Sequence, residues 1–366
     1  MFKRIVCVRF ERVCCGMKVG LIGCGRVAHI HMVAYKALDG VDVVAVSDTD
    51  LNRAKAFAEP YKIGTVFTDY AKLFELGDLD FVDVCTPTST HKSIVSAAAE
   101  AGLNVLMEKP MGRNSPECER MIEISRKHKI QLCVCHNQLF YPYVQRLKSI
   151  ADSEGFDLVS FRTSHRENFE WLKAHDLAKP WNVSPEHGGI LWEVGTHLAY
   201  LQLAFLKDIT EVYALGVKSK FSVWDDFAVL LRTGSGRWGV FEISWVAKES
   251  EIVYEVVGSE GQRVQTYLPH GYIIERMEDS AAGFGGVLRN YFSDHARLYK
   301  KWSKFVVDQV KKPQFGHLRL IGSFVESLRK GAVSPVTGED GRNAIRLLEC
   351  IEKSLDEKRP VEYSAW

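Results

Sequence analysis

Between residues 18 and 136 short β-rich runs alternate with helical stretches, and no other feature of the chain restricts its fold as much. KVGLIG (18–23), VDVVAVS (41–47), FVDVCT (81–86), LNVLME (103–108) and QLCVCH (131–136) read as strands. Residues 26–38, 50–58, 69–76, 89–101 and 115–128 read as helices, from apolar positions at three- and four-residue spacing. Strands alternating with helices imply βαβ crossovers, and therefore a mostly parallel sheet covered by helices on both faces. The expected fold class is α/β, with a doubly wound N-terminal domain.

After about Pro142 the rhythm changes. A helix at 143–151 and a strand at 157–165 are followed by an irregular stretch to Pro185 and a helix from about Leu191 to Leu206. Strands at 211–217, 227–233, 237–245 and 251–257 then come in close succession, which predicts an open, mostly antiparallel sheet in a second, α+β domain. The tail, RNAIRLLECIEKSL (342–355), is an amphipathic helix with an Ile, Leu and Cys stripe. A chain of 366 residues accommodates two such domains. The expected division is an extension at 1–16, a cofactor domain at 17–137, and a domain for substrate and subunit contacts at 138–366.

Forty-seven Lys and Arg against 46 Asp and Glu leave a formal charge of +1, so no broad field attracts nucleic acid or an anionic membrane. The longest apolar stretch, 190–206, is interrupted by Glu193, His197 and Gln202, which argues against a membrane-spanning helix. Charges at Arg9, Glu11 and Arg12 break up any secretion signal in the first sixteen residues. Nine scattered cysteines without a CxxC pair suit a reducing compartment, and cytoplasm is the expected location.

Gly23-Cys24-Gly25-Arg26-Val27-Ala28 matches the G-x-G-x-x-G/A dinucleotide fingerprint, directly after a predicted strand and opening a predicted helix. Gly23 makes the tight turn, Gly25 lets a pyrophosphate approach, and Ala28 lets helix and strand pack closely. The backbone N–H groups of Arg26 and Val27, at the helix start, face the phosphates. Asp48 ends the second strand, 20 positions beyond Ala28, where a carboxylate accepts from a ribose diol and repels an extra phosphate. NAD is therefore favoured over NADP, although Arg53 offers NADP a route if it folds back over the adenosine.

Several further motifs occur in order: CTPTSTH (85–91), MEKP (107–110), HNQLFYP (136–142), GGILWEVGTH (188–197), VVGSEG (256–261) and SPVTGEDGRNAI (334–345). With them the chain, from about Met17 onward, resembles the oxidoreductases related to glucose-fructose oxidoreductase and inositol 2-dehydrogenase, the Gfo/Idh/MocA family. The resemblance makes Lys109 catalytic and sets Glu108 among the cofactor-binding residues, and the Lys109–Pro110 bond, in a tight corner before proline, is of the kind open to the cis form. The resemblance also makes His197 the proton acceptor, with Glu193 standing where many relatives have aspartate. Four residues apart on one expected helix, Glu193 and His197 share a face, which equally suits an ion pair or a capped core histidine. Thr86, Pro87 and His91 would line the cofactor edge, with packing an equal reading for His91, and Asn137 would lie near the nicotinamide or substrate.

His187, Glu193 and His197 lack the histidine pair at i, i+4 of a zincin helix, so no metal is expected. Arg166, Trp181 and Trp192, with His165 and Trp171, would bracket a substrate entrance suited to a sugar ring, or simply pack. The basic stretch 286–312 reads as an amphipathic helix at a solvated face, a subunit contact or a lid. The expected activity is reversible oxidation of a secondary hydroxyl on a sugar, polyol or sugar derivative, in a homodimer or homotetramer, with no nucleic-acid or membrane partner. Two other readings stand beside it: transient oxidation that permits elimination from a glycoside, and a non-catalytic NAD-binding sensor.

Overall fold

The computed structural model describes residues 16–175, 180–268, 272–276 and 315–364, which build two sheets. The first half runs β1 (Met17–Ile22), α1 (Arg26–Lys36), β2 (Val41–Ser47), α2 (Leu51–Ala58), β3 (Thr65–Phe67) and α3 (Tyr70–Phe74). It continues with β4 (Phe81–Val84), α4 (Thr88–Glu100), β5 (Asn104–Met107), α5 (Ser115–His128) and β6 (Leu132–Val134). The strands lie in the order β3-β2-β1-β4-β5-β6 and all pair in parallel. Strand order reverses between β1 and β4, so a crevice opens beyond their C-terminal ends, where sheets of this kind take ligands. Strand β3 was not expected from sequence because three residues, TVF, are too few to display a period.

The second half runs α6 (Pro142–Ala151), β7 (Leu158–Asn168), α7 (Phe169–Ala174), α8 (Gly189–Glu193), α9 (Gly195–Leu206), β8 (Ile209–Val217), β9 (Asp226–Thr233) and β10 (Trp238–Ser244). Then come β11 (Val246–Gly258), β12 (Arg263–Leu268), β13 (Tyr272–Arg276), α10 (Phe315–Lys330), α11 (Gly338–Glu357) and β14 (Val361–Glu362). The strand order is β13-β12-β11-β7-β10-β9-β8-β14. All these pairs are antiparallel except β7 with β10, whose long connection through α7 to β9 is what a parallel pair requires.

Strand β9 alternates exposed and buried residues along its whole length. Phe227, Val229 and Leu231 point inward, while Leu215, Val217, Leu230 and Trp238 stay exposed on the opposite, open face. Helix α10 packs along α1, and α11 packs on α5, α9 and β8, so these two C-terminal helices cover elements of both sheets. Thr337 starts α11 with a reciprocal capping box to Asp340. Cys133 on β6 and Cys135 just after it are fully buried, like small packing residues. Among the described residues, no helix is long and apolar enough to cross a membrane. Residues 1–15 and the basic stretch 286–312 lie outside the described residues.

Candidate active site

The loop from β1 to α1 shows what each glycine of the fingerprint is for. Gly23 has φ +93°, and a Cβ there would come within 2.6 Å of the Cys85 carbonyl oxygen, so both conformation and packing demand glycine. Gly25 is different. Its φ of −83° and ψ of −171° suit any residue, and a Cβ would meet nothing within 4 Å. The protein's own packing leaves this position open, directly above the start of α1, which carries no side-chain cap. An open space against an uncapped helix N-terminus fits the pyrophosphate of a dinucleotide.

Asp48, nearly buried, accepts from the Cys24 N–H at 2.9 Å through Oδ2 and from the Asp50 N–H at 2.9 Å through Oδ1. It therefore holds the glycine turn and the start of the loop after β2. Arg53 already engages two carboxylates, Asp48 at 3.3 Å and Asp50 at 3.6 Å. Thr86 and Pro87 follow β4, with Pro87 exposed at the start of α4.

His91 is fully buried, with Nδ1 3.1 and 3.2 Å from the carbonyls of Pro110 and Met111 and Nε2 2.9 Å from that of Thr86. All its partners are backbone acceptors. The neutral ring donates from one nitrogen to one of these turns and packs against the other, the packing reading of the two open for it.

Lys109 lies two residues beyond β5, before a cis peptide bond to Pro110. Its Nζ sits 3.0 Å from the Glu193 carboxylate and 3.0 Å from the Glu193 backbone carbonyl. That carbonyl is available because the expected helix 191–206 is two helices, α8 and α9, broken at Val194. The His197 N–H donates to the Val194 carbonyl at 2.9 Å, an i→i−3 bond, so the Glu193 carbonyl is left for the lysine. Two of the three ammonium hydrogens are thereby used, and one remains to point at a ligand. Glu193 thus pairs with Lys109 rather than with His197.

His197, half-buried, places Nδ1 2.7 Å from the hydroxyl of Tyr200, one turn further along α9. Burial, reinforced by the charge of Lys109, holds its pKa well below the ordinary histidine value, so the imidazole is neutral and able to accept a proton. Asn137, buried, lies 3.5 Å from both the Tyr200 hydroxyl and the Nδ1 of His317.

Glu108 faces inward beneath the site rather than toward a ligand. Its carboxylate accepts from His31 Nε2 at 3.0 Å and from the Lys109 backbone N–H at 3.2 Å. Burial opposes its ionisation, yet the His31 hydrogen bond and charge hold its pKa well below the usual carboxylate range. His31 Nδ1 meets Asp83 at 2.7 Å, and Tyr35 donates to the same carboxylate oxygen at 2.8 Å. Burial works against a charge on His31, but Asp83 outweighs it and raises its pKa well above 6.5. The buried imidazolium is hydrogen-bonded to a carboxylate on each side, the pairing under which buried charges are tolerated.

His136 stacks on Tyr200 with ring centroids 4.1 Å apart, and its Nδ1 has no hydrogen-bond partner among the described residues. Burial pushes its pKa down to about 3. A histidine kept neutral in the fold stabilises fully above about pH 6.5, its unfolded value, and that contribution falls away as the pH drops toward 3. His136→Phe keeps the stacking and removes the titration. Its unfolding free energy is expected to fall less steeply between pH 6 and 4, by about 1.4 kcal/mol per pH unit, in urea titrations at several pH values. Identical slopes for the two proteins would refute this.

Of the expected substrate residues, Arg166 is exposed on the open face of the second sheet beside Leu215, Val217 and Glu242. Strand alternation sends its neighbour His165 inward instead, 3.0 Å from Glu167. Trp192 packs its ring against Gly188 and bonds Glu352 of α11, away from the site. Trp171 is half-exposed and stacks on His175. These placements correct the entrance expected at Arg166 and Trp192. Trp181 falls in a short 3-10 turn, Pro180–Val183, and its side chain, like that of His187, lies outside the described residues.

Tyr200, His317, His31 and Asp83 escaped the sequence reading. Tyr200 had a usable signal, three positions after His197 on one helical face. His317 had none, being 180 positions from Asn137 in sequence.

The sequence model of an oxidoreductase family with an NAD-binding Rossmann fold, GFO_IDH_MocA, matches residues 17–136, and that of the GFO/IDH/MocA C-terminal domain matches 144–264. A myo-inositol 2-dehydrogenase of Thermotoga maritima is 27% identical over 354 residues, covering 94% of this chain and 98% of its own. A D-apiose dehydrogenase of Rhizobium rhizogenes is 24% identical over 357 residues, covering 95% and 98%. The solved structure of a scyllo-inositol dehydrogenase from Lactobacillus casei with NAD(H) and scyllo-inositol has the same fold, at a TM-score of 0.74 and 16% identity, covering 95% of this chain and 99% of that one. With the two family models together spanning more than half of its length, on a Rossmann sheet with an open dinucleotide cradle, the chain belongs to the Gfo/Idh/MocA family of oxidoreductases.

Proposed function

We propose that this protein reversibly oxidises a secondary hydroxyl of a sugar or polyol with NAD. The observation that carries this reading is the meeting of Lys109 and His197 at the crevice, one from the end of β5 and one from α9. The similarity to inositol and apiose dehydrogenases over nearly the whole chain supports the substrate class. Bound NAD supplies the hydride acceptor, at the nicotinamide C4. His197 takes the hydroxyl proton, Lys109 stabilises the oxygen as negative charge develops on it, and Glu193 holds Lys109 in place. With NAD bound, the substrate C–H hydride would have its acceptor at that C4, while His197 holds the proton from the O–H bond and Lys109 steadies the oxygen, so that the carbon would be left as a ketone.

The preference for NAD over NADP rests on Asp48 and on an Arg53 already paired with acidic groups. Asp48→Asn removes the charge and keeps one of the two accepting oxygens, so the turn retains the bond from Cys24 or from Asp50 but not both. It is expected to shift the ratio of kcat/KM for NAD over NADP by about tenfold or more toward NADP, equivalent to about 1.4 kcal/mol. An unchanged ratio would refute the role.

Residues 17–137 are assigned to the cofactor and 138–366 to substrate and subunit contacts. The exposed Leu215, Val217, Leu230 and Trp238 on the open sheet face support self-association to a dimer or tetramer, to be read by sedimentation. The free, buried cysteines among the described residues agree with a cytoplasmic setting. The deciding experiment is mass spectrometry of small molecules retained by the purified protein, followed by a sugar and polyol panel read at NADH absorbance. Turnover of a panel member supports the reading. NAD binding with no reduction across the panel would make the protein a sensor, and glycoside conversion without net NADH would make the redox step transient.

A further inference from the structure

We propose that a buried chain of side chains from Glu108 through His317, Asn137 and Tyr200 fixes the tautomer of His197, with the ring proton on Nδ1 and the lone pair on Nε2. Tyr200 and His317 are then positioning residues for the base. The inference rests on the reading of His197 as proton acceptor and adds what aims it.

The problem begins at the 2.7 Å contact between His197 Nδ1 and the Tyr200 hydroxyl. A hydroxyl has one hydrogen and two lone pairs, so the contact can run either way. If Tyr200 donated to Nδ1, the ring proton would sit on Nε2 and the outward nitrogen could not accept. The Gln138 backbone N–H donates to the Tyr200 oxygen at 3.1 Å and takes one lone pair. The remaining neighbour is the Asn137 amide at 3.5 Å, and what it presents decides the matter.

The amide orientation is set from its other side. His317 Nε2 faces the Glu108 carboxylate at 3.8 Å, while His317 Nδ1 lies 3.5 Å from Asn137. A carboxylate only accepts, so the single proton of a neutral His317 belongs on Nε2. Burial and the nearby His31 charge push the pKa of His317 down to about 4, which keeps that ring neutral. Its Nδ1 is then an acceptor and takes the Asn137 NH₂. The Asn137 carbonyl consequently turns to Tyr200 and takes the hydroxyl hydrogen. Tyr200 offers only a lone pair to His197, and Nδ1–H donates to it. The first link is electrostatic, the Glu108 carboxylate, kept ionised by His31, at 3.8 Å from the Nε2 of His317, and the later links are hydrogen bonds at 3.5, 3.5 and 2.7 Å.

The chain directs a proton without carrying one, because an amide at Asn137 cannot accept and release protons as an imidazole does. His136, stacked at 4.1 Å on Tyr200, keeps the phenol in plane. The charged and titratable groups facing His197 are Lys109, His165, Glu108 and His136, and none of them competes for Nδ1.

The test is nitrogen-15 NMR of the histidine-labelled full chain at pH 7.5, with the His197 signals assigned by their loss in His197→Asn. The wild type is expected to show a protonated Nδ1 and a lone-pair Nε2. Tyr200→Phe and His317→Leu are expected to populate the Nε2–H form and to lower kcat about tenfold with KM for NAD unchanged. His317→Gln, whose amide can donate to Glu108 and accept from Asn137, is expected to restore the wild-type spectrum and rate. A wild-type Nε2–H tautomer would overturn the inference, as would an unchanged Nδ1–H signal in both disruptive variants. Full turnover by His197→Asn would instead overturn the reading of His197 as base and leave the tautomer result standing.

Discussion

Lys109→Met is expected to lower kcat by at least about 10³-fold, roughly 4 kcal/mol of transition-state stabilisation, while NAD binding stays intact. Methionine keeps the length and apolar body of lysine, so the half-buried stem still packs, and only the ammonium and its three donors are lost. Two of those donors hold Glu193, at its carboxylate and its carbonyl. The third is the one that the proposed mechanism directs to substrate, where its charge would grow in value as the hydroxyl oxygen becomes negative. Glu193 is 44% exposed at its side chain, so losing its partner returns it to water at little cost to the fold. The measurement is stopped-flow turnover with the best panel substrate, alongside NAD titration followed by fluorescence. Turnover within tenfold of wild type would remove Lys109 from the chemistry.

His197→Asn is expected to lower kcat by about 10²- to 10⁴-fold, the usual span for removing a positioned general base. Asparagine matches the Nδ1 side of the ring, so it can keep the hydrogen bond to Tyr200 that stands at 2.7 Å, while nothing replaces Nε2. The fold and the NAD site should be undisturbed, which thermal unfolding and cofactor titration would show. A fall in kcat with little change in KM marks an interaction made in the transition state, whereas a rise in KM alone would make His197 a binding residue. Because the pKa of His197 is held low, the pH dependence it imposes on kcat lies below its ordinary value of 6.5. Activity limited by this base is lost as the pH falls through that low value, and is unaffected by it as the pH rises from 7 to 8.

How much of the site could be read in advance depends on where its information resides. Gly23, Gly25 and Asp48 were legible because a turn, an open helix start and a carboxylate at a strand end are local demands, met within one βαβ unit. Lys109 and His197 were placed by resemblance, and in the structure Lys109 bonds Glu193, which stands one turn before His197. Arg166 and Trp192 were misplaced for one shared reason. An exposed-looking aromatic or arginine has no periodic signal saying which side of a sheet or helix it will face, and register decides it. In β7 one step separates Arg166, on the open face, from His165, on the inner one.

The break at Val194 was equally hidden. The apolar spacing of 191–206 continues through it, and only the Lys109 ammonium shows why a carbonyl had to be left unused by the helix. By itself, then, the sequence determined the alternation of strands and helices in the first half, the dinucleotide cradle and the family resemblance, since these follow from short-range periodicity, turn chemistry and ordered motifs. Tertiary structure alone decided that Glu193 pairs with Lys109, that His91 is buried between two turns, and that His317 joins Asn137 across 180 positions. The physical reason is that hydrogen bonds between distant side chains act over about 3 Å, and that closeness exists only after both sheets and helix α10 have packed.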